Sequence, residues 1–181
     1  MKTRSALLAL LVVMVAMGSA EARRHRSMGG ERYVANGTFG LGLEVGAPFG
    51  LNGKYFLSDD RALNFGVGDL YDHYYYYHDG LHLYLDYMFH PFSLTNQPAF
   101  QLPFFVGIGG RLWTFNGDNR IQNDDGSAIG VRVPVGLAFD FNNTPIDIFV
   151  QLTFVVDFYL NYRDNLGPHI EGSFGLRYWF N

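Results

Sequence analysis

The sequence predicts an all-β fold, an eight-stranded antiparallel up-and-down transmembrane β-barrel that is preceded by a cleaved signal peptide. First, every odd position from Val131 to Phe141 is bulky and apolar, whereas the even positions are small, charged or proline. A period of two is typical of a β-strand with two different faces. Second, this alternation recurs along the chain. Third, the 12 tyrosines and 17 phenylalanines are suited to bilayer interfaces and acyl chains.

The start of the chain has the features of an export signal. Lys2 and Arg4 precede an apolar run from Ala6 to Met17, and the small-residue segment Gly18–Ala22 follows. The run is short for a membrane-spanning helix, which needs about 20 residues. We therefore predict three segments, which are a signal peptide (1–22), a flexible mature N-terminus (23–36) and an outer-membrane β-barrel (37–181).

The composition argues against several classes of function. The formal net charge is −4 and the chain contains no cysteine. An acidic balance gives no support for a nucleic-acid partner, which usually requires a basic stripe. Without cysteine there can be no disulfide, thiol catalysis or thiolate metal site. We predict no cofactor and no metal.

The alternation predicts eight strands, each with a bulky outward face and a small or polar inward face. The predicted strands span about 38–46, 51–57, 62–68, 81–90, 100–115, 130–141, 146–160 and 169–180. Residues 47–50 are predicted to form a tight turn, and residues 91–98 a proline-bounded turn. The longer polar connections at 69–80, 116–127 and 161–168 would then leave one end of the barrel, as exposed loops do in outer-membrane barrels.

The main structural alternative is a soluble eight-stranded barrel whose apolar face lines a ligand cavity. Two observations argue against it. The polar face is rich in small residues such as Gly40, Gly42, Gly136 and Ala138, which suit a crowded lumen better than a solvated surface. In addition, the bulky residues of a single strand would overfill so narrow an interior. The sequence therefore favours an apolar face towards lipid.

Charged residues of both signs fall on the predicted inward face. The interior of an eight-stranded barrel is just wide enough for side chains, so these charges must pair or stay hydrated. We predict a lumen ion network formed by Glu44, Lys54, Asp86, Arg111, Arg132, Glu171 and Arg177. Such a network would plug the lumen. The alternative is a narrow channel for small solutes.

Several segments carry a family resemblance. They are Gly40–Tyr55, Gly107–Arg111, Gly130–Leu137 and Gly175–Phe180. On these residues the mature chain resembles small eight-stranded bacterial outer-membrane proteins similar to the OmpA transmembrane domain, including a family of uncharacterised outer-membrane barrels. The resemblance implies a Gram-negative outer membrane, with contacts to outer-membrane lipids and both termini in the periplasm. Phe180, followed here by Asn181, is similar to the terminal signal that barrel-insertion machinery reads.

One predicted loop contains four consecutive tyrosines, Tyr74, Tyr75, Tyr76 and Tyr77. Such a run is typical of an aromatic belt at the outer interface or of an adhesive loop tip. Because tyrosine is frequent in recognition surfaces, we predict a surface-loop contact with an extracellular protein or surface ligand. The flanking pairs Asp72-His73 and His78-Asp79 are too few to indicate a metal site, which needs three or four converging ligands. The segment Asn123–Gly126 does not fit a twelve-residue calcium loop.

A lipid-modifying enzyme is the second alternative to a structural protein. Barrel enzymes of this size use a serine, a histidine and an acid near the outer rim, for which Ser127, His78 and His169 are the candidates. Their spacing does not bring them together. We therefore predict a protein that is not an enzyme and that has a structural or adhesive, surface-binding role.

Overall fold

The computed structural model describes residues 31–69, 80–115, 126–160 and 166–180. These residues form eight antiparallel strands closed into a barrel, in which neighbours in sequence pair and the first strand pairs with the last. The strands are β1 (Phe39–Gly46), β2 (Phe49–Ser58), β3 (Arg61–Asp69), β4 (Leu81–Asn96), β5 (Phe100–Phe115), β6 (Gly126–Phe141), β7 (Ile146–Tyr159) and β8 (Leu166–Phe180). The predicted all-β barrel is confirmed. No helix in the described ranges is long and apolar enough to cross a membrane.

The register gives the barrel a stagger of ten residues. Cross-strand partners followed once around from Leu41 pass through Gly53, Phe65, Leu85, Gly110, Val131 and Val156 to Pro168. The direct partner of Leu41 on β8 is instead Tyr178, ten residues beyond Pro168. Such a stagger tilts the strands by about 40° to the barrel axis and leaves an interior that side chains can fill.

The two ends of the barrel differ. The terminal end is where β1 begins and β8 ends, and short connections join the other strands there. The loop end carries the segments 70–79, 116–125 and 161–165, which lie outside the described residues. Most of the three predicted surface loops, the four tyrosines 74–77 and the signal peptide 1–22 therefore remain predictions.

The two faces of the sheet are arranged as the sequence predicts. Bulky apolar side chains such as Leu43, Val133 and Phe154 are exposed on the outside of the barrel. Charged side chains such as Arg132 and Asp86 are fully buried inside it. This arrangement is the reverse of the alternative in which the apolar face lines a ligand cavity.

The predicted turn at 91–98 is wrong. Strand β4 continues from Leu81 to Asn96 and pairs with β5 along this length, with two irregularities in register. The first irregularity, between Phe89 and Phe92, contains Pro91. A proline lacks the N–H that a regular ladder needs, and within a sheet it is tolerated at such bulges. The proline therefore marks a bulge rather than the end of the strand.

Three strands also begin two or more residues before the predicted start. β2 begins at Phe49 instead of Leu51, β6 at Gly126 instead of Gly130, and β8 at Leu166 instead of His169. In each case a residue with turn propensity lies close to the boundary, but cross-strand pairing continues past it. Strand structure depends on neighbouring strands more than on local propensity.

The short connection between β1 and β2 folds over the loop end of the barrel. Pro48 is buried, and Ala47 packs against the buried side chains of Trp113 and Ala128. The Ala47 N–H donates to the carbonyl of Gly172 at 3.1 Å. The first connection at this end therefore packs against the barrel instead of extending away from it.

The residues that precede β1 also contact the barrel. We call residues 31–36 the strap, because they cross the terminal end of the interior. Their side chains and backbone contact several strands, and Tyr33 is only 3% exposed. The sequence predicts flexibility over 23–36 and gives no sign of these contacts.

Candidate functional site

The interior of the barrel is the candidate site because it collects the buried polar and charged side chains. All seven residues of the predicted lumen network lie there and are buried, namely Glu44, Lys54, Asp86, Arg111, Arg132, Glu171 and Arg177. The period-two alternation accounts for this placement, since each residue is at an inward position of its strand. The contacts divide these residues among four groups along the barrel axis.

The first group is an ion-paired cluster near the loop end. The Arg111 Nε donates to Asp157 Oδ1 at 2.9 Å, and its Nη1 donates to Glu171. Arg132 Nε lies 3.3 Å from Asp86 Oδ1, and Arg132 Nη1 lies 3.9 Å from Glu171 Oε2. Two arginines are thus shared among three carboxylates. Removing either arginine would leave buried carboxylates without enough positive charge.

His169 connects this cluster to the barrel mouth. Its Nε2 lies 3.1 Å from Glu171 Oε1 and 3.0 Å from an Arg111 nitrogen. The side chain is 36% exposed, whereas its charged partners are buried. The histidine is therefore the member of the cluster that solvent reaches most easily.

The second group surrounds Glu44 on β1. Its Oε1 accepts hydrogen bonds from Gln151 Nε2 at 3.0 Å and from the Ser173 hydroxyl at 2.5 Å. Its Oε2 accepts from Asn52 Nδ2 at 3.2 Å and from the Tyr84 hydroxyl. Among the described residues no cation lies within ion-pairing distance of this carboxylate. Four neutral donors from four other strands stabilise it instead.

The third group is built on Arg177 of β8. Its Nε and Nη2 donate to the two carboxylate oxygens of Asp147 at 2.9 and 2.8 Å. Its Nη1 donates to Asn52 Oδ1 at 3.1 Å and Asn64 Oδ1 at 3.2 Å, on the other side of the interior. The guanidinium also lies 4.2 Å from the centre of the Phe149 ring. A planar fork with five donors suits such a crossing of the lumen.

The fourth group lies towards the terminal end and contains Lys54. Its Nζ is 2.7 Å from His90 Nε2 and lies over the rings of Phe56 and Phe105, at 5.0 and 5.3 Å from their centres. In the described part of the chain no carboxylate pairs with this lysine. An ammonium group can be stabilised by aromatic faces and by the lone pair of a neutral imidazole.

The seven predicted residues therefore do not form one continuous network. Asp86, Arg111, Arg132 and Glu171 are brought together, whereas Arg177 pairs separately with Asp147. Glu44 and Lys54 belong to neither ion-paired group. The sequence marks Asp147 and Asp157 as inward charges, but it gives no sign that they are the principal partners of Arg177 and Arg111. Cross-barrel partners depend on register and stagger, which a single strand pattern does not reveal.

The residues considered for metal binding or catalysis are not assembled into a site. In the described ranges no three histidine or acidic side chains are placed to hold a metal ion. Ser127 on β6 and His169 on β8 are separated by β7, and no hydrogen bond joins them. His78 and most of 123–126 lie outside the described residues. That the protein is not an enzyme stays a prediction.

The comparisons place the fold in a known class. No protein-family model matches the sequence, and the curated proteins contain no match. The chain is similar in structure to the crystal structure of the N-terminal β-barrel domain of OprF from Pseudomonas aeruginosa. The TM-score is 0.57, the identity is 17%, and the match covers 80% of this chain and 98% of that chain. This confirms, at the level of the fold, the predicted resemblance to small eight-stranded outer-membrane barrels.

Proposed function

We propose that the protein is an integral β-barrel of a bacterial outer membrane, with both termini in the periplasm and a plugged lumen. Its role is structural or adhesive, and it contacts surface ligands through its loops. The observation that carries the proposal is the inverted polarity of the barrel, in which large apolar side chains cover the outside and most of the charged side chains of the strands are buried inside. Lipid is the solvent that such an outer surface requires.

The apolar surface continues around the whole barrel. Every strand contributes at least one large exposed apolar side chain, for example Leu43, Leu51, Val67, Leu85, Ile108, Val133, Leu152 and Leu176. On β6 the apolar outward positions run from Ile129 to Phe141, which at the observed stagger is about 30 Å along the barrel axis. Outer-membrane barrels have an apolar band about 25 Å tall. A soluble monomer rarely exposes so large an apolar surface.

Aromatic side chains gather on the outer surface towards the terminal end. Phe39 and Phe180 have ring centres 5.9 Å apart, across the seam between β1 and β8. Phe100 of β5 and Phe139 of β6 form a second such pair, with ring centres 5.8 Å apart. Aromatic rings form girdles at the interfaces between the bilayer and water. These pairs support a membrane boundary near the terminal end.

The plugged lumen is supported by contacts between opposite walls of the barrel. Tyr84 of β4 reaches Glu44 of β1, and Arg177 of β8 reaches Asn64 of β3. Side chains that meet across the lumen in this way favour a packed interior over an open pore. The narrow channel remains the alternative outcome of the test.

The test is membrane fractionation of the expressed full-length chain, followed by gel electrophoresis with and without heating and by single-channel recording. We expect the protein in the outer-membrane fraction, with a mobility that changes on heating and with no steady large openings. Recovery in a soluble fraction without such a change would overturn the membrane assignment. Steady conductance would contradict the plugged lumen and support the narrow channel instead.

The surface-binding role is tested separately. In the variant Y74S/Y75S/Y76S/Y77S we expect unchanged insertion and weaker adhesion of expressing cells to a surface coated with extracellular protein. Mass spectrometry of lipid A with and without the protein tests the enzyme alternative, for which we expect identical lipid profiles. A changed profile would require an enzymatic role.

A further inference from the structure

The strap is held across the terminal end of the barrel by hydrogen bonds to several strands. Glu31 and Ser93 exchange two backbone hydrogen bonds, at 3.1 and 2.8 Å, so the strap begins with a short bridge to β4. Further along, the side chain of Gln101 on β5 donates to the Val34 carbonyl at 3.0 Å. The strap thus follows an extended path from β4 towards β6.

Tyr33 is the anchor of the strap. Its hydroxyl donates to Asp140 Oδ2 at 2.8 Å, and its ring centre lies 5.3 Å from that of His90 and 5.9 Å from that of Phe56. Burial, followed by the nearby Asp140 carboxylate, raises the pKa of Tyr33 well above its ordinary value. The phenol therefore remains a hydrogen-bond donor, and its loss would leave the Asp140 carboxylate without this partner.

The residues beneath the strap would meet water if it moved. Tyr33 belongs to one buried cluster with Phe56, Ala62, Met88, Phe105, Ala138, Phe149 and Trp179. Lys54 lies over two of these rings. Apart from Tyr33, the strap is held mainly by polar contacts with partners at the rim, including an exposed ion pair between Arg32 and Asp59. Exposed ion pairs of this kind contribute little to stability.

We propose that the strap is a releasable lid on the terminal end of the lumen, with Tyr33 as its latch. In the closed state it excludes water from the aromatic layer around Lys54, and in the open state it exposes that layer together with Asp140. The proposal rests on the inverted polarity of the barrel but not on its location in a membrane. It places control of access to the lumen at the end where β1 begins and β8 ends.

The absence of cysteine allows a direct test by single-cysteine labelling. Ala62 is fully buried under the strap, and Ala128 is equally buried at the loop end. The full-length A62C and A128C variants are treated in detergent micelles with a charged, membrane-impermeant methanethiosulfonate reagent. Adding Y33A should accelerate labelling of A62C by about tenfold or more, because local opening becomes easier. Labelling of A128C should not change.

The test also needs a matched control variant and a disulfide that holds the strap closed. V34A alters an exposed strap residue and should leave the labelling rate of A62C unchanged. Glu31 and Ser93 are a hydrogen-bonded pair, whose α-carbons are about 5.5 Å apart in an antiparallel ladder. A disulfide between E31C and S93C fits this spacing. This disulfide should make labelling of A62C slower than in the A62C variant that lacks it.

Three results would overturn the proposed lid. The first is a labelling rate of A62C that Y33A does not change, and the second is an equal acceleration at A128C, which indicates general loosening of the barrel. The third is a labelling rate of A62C that is the same with and without the disulfide. Because the labelling uses micelles, it can fail while the protein still fractionates with the outer membrane. It can also succeed if the fractionation fails. The two proposals are therefore separable.

Discussion

Arg177 and Asp147 face each other in register on β8 and β7, and their side chains form a two-point ion pair inside the barrel. Both side chains are 2% exposed. The pair lies beside the asparagines that link β2 and β3 to the same guanidinium. A single ion pair on neighbouring strands is therefore also linked by hydrogen bonds to β2 and β3.

We predict that D147A lowers the free energy of unfolding by about 3–5 kcal/mol, because it leaves a buried guanidinium without its counter-charge. R177K should also destabilise the barrel, since an ammonium cannot reproduce the two-point contact. The measurement is urea unfolding in lipid vesicles. The double variant R177M/D147L should recover much of the loss. If it were as unstable as D147A, the uncompensated charge would not be the cause.

A second prediction concerns two glycines on the strands that close the barrel. A methyl group at Gly42 would lie 1.8 Å from the Leu176 carbonyl oxygen, whereas at Gly172 the nearest atom would be a Leu152 methyl at 3.6 Å. We therefore expect G42A to give little folded barrel on unheated gels. The control G172A should fold normally or gain about 0.5 kcal/mol, because a glycine in a strand costs entropy. Equal folding of the two variants would contradict the closeness of β1 and β8.

A third prediction tests the contact with lipid. Val135 faces outwards near the middle of the apolar band on β6, and Thr114 faces outwards near the loop end of β5. In vesicles V135R should cost about 2–4 kcal/mol, and T114R no more than about 1 kcal/mol, because the penalty for a charge falls towards the interface. The comparison is made by unfolding titrations. Equal penalties would indicate that this surface is not in a bilayer.

A fourth prediction concerns Glu44. In E44Q one acceptor oxygen becomes an NH₂ group that faces an amide and a hydroxyl. The hydroxyl can turn to accept from it, but the two amide N–H groups then face each other and neither has an acceptor. Each unsatisfied buried group costs about 1–3 kcal/mol, and we expect a total loss of about 2–5 kcal/mol. S173A, which removes one donor, should cost less. The two are compared by denaturant unfolding, and a larger loss for S173A would show that the carboxylate is not the centre of this group.

The sequence predicts most of the fold because nearly all of the strands follow the same alternation of inward and outward residues. An alternation of period two assigns a face to each residue, and for Val133, Arg132 and Phe105 the predicted face is the one observed. The rule fails at Pro91, where cross-strand pairing carries the strand through a bulge. Strand ends are poorly predicted for the same reason, since a partner strand can extend a segment whose own residues favour a turn.

The interior site is less predictable than the fold. The alternation identifies which charges point inwards, but the pairs Arg111 with Asp157 and Arg177 with Asp147 depend on the stagger of the closed sheet. Lys54 and Glu44 show a second limit, since aromatic rings, an imidazole and neutral donors replace the expected counter-charges. The sequence does not predict the strap, because Tyr33 precedes the alternating region and has no pattern of its own.

The pairing of β1 with β8 has a consequence for the connectivity of the chain. Because Phe39 and Phe180 are direct partners, a short linker could join the end of β8 to the start of β1, and a new start could be cut into the segment 70–79. The rearranged polypeptide would contain the same eight ladders in the same circular order. The closed sheet therefore fixes the circular order of the strands, but it does not fix which strand comes first in the chain.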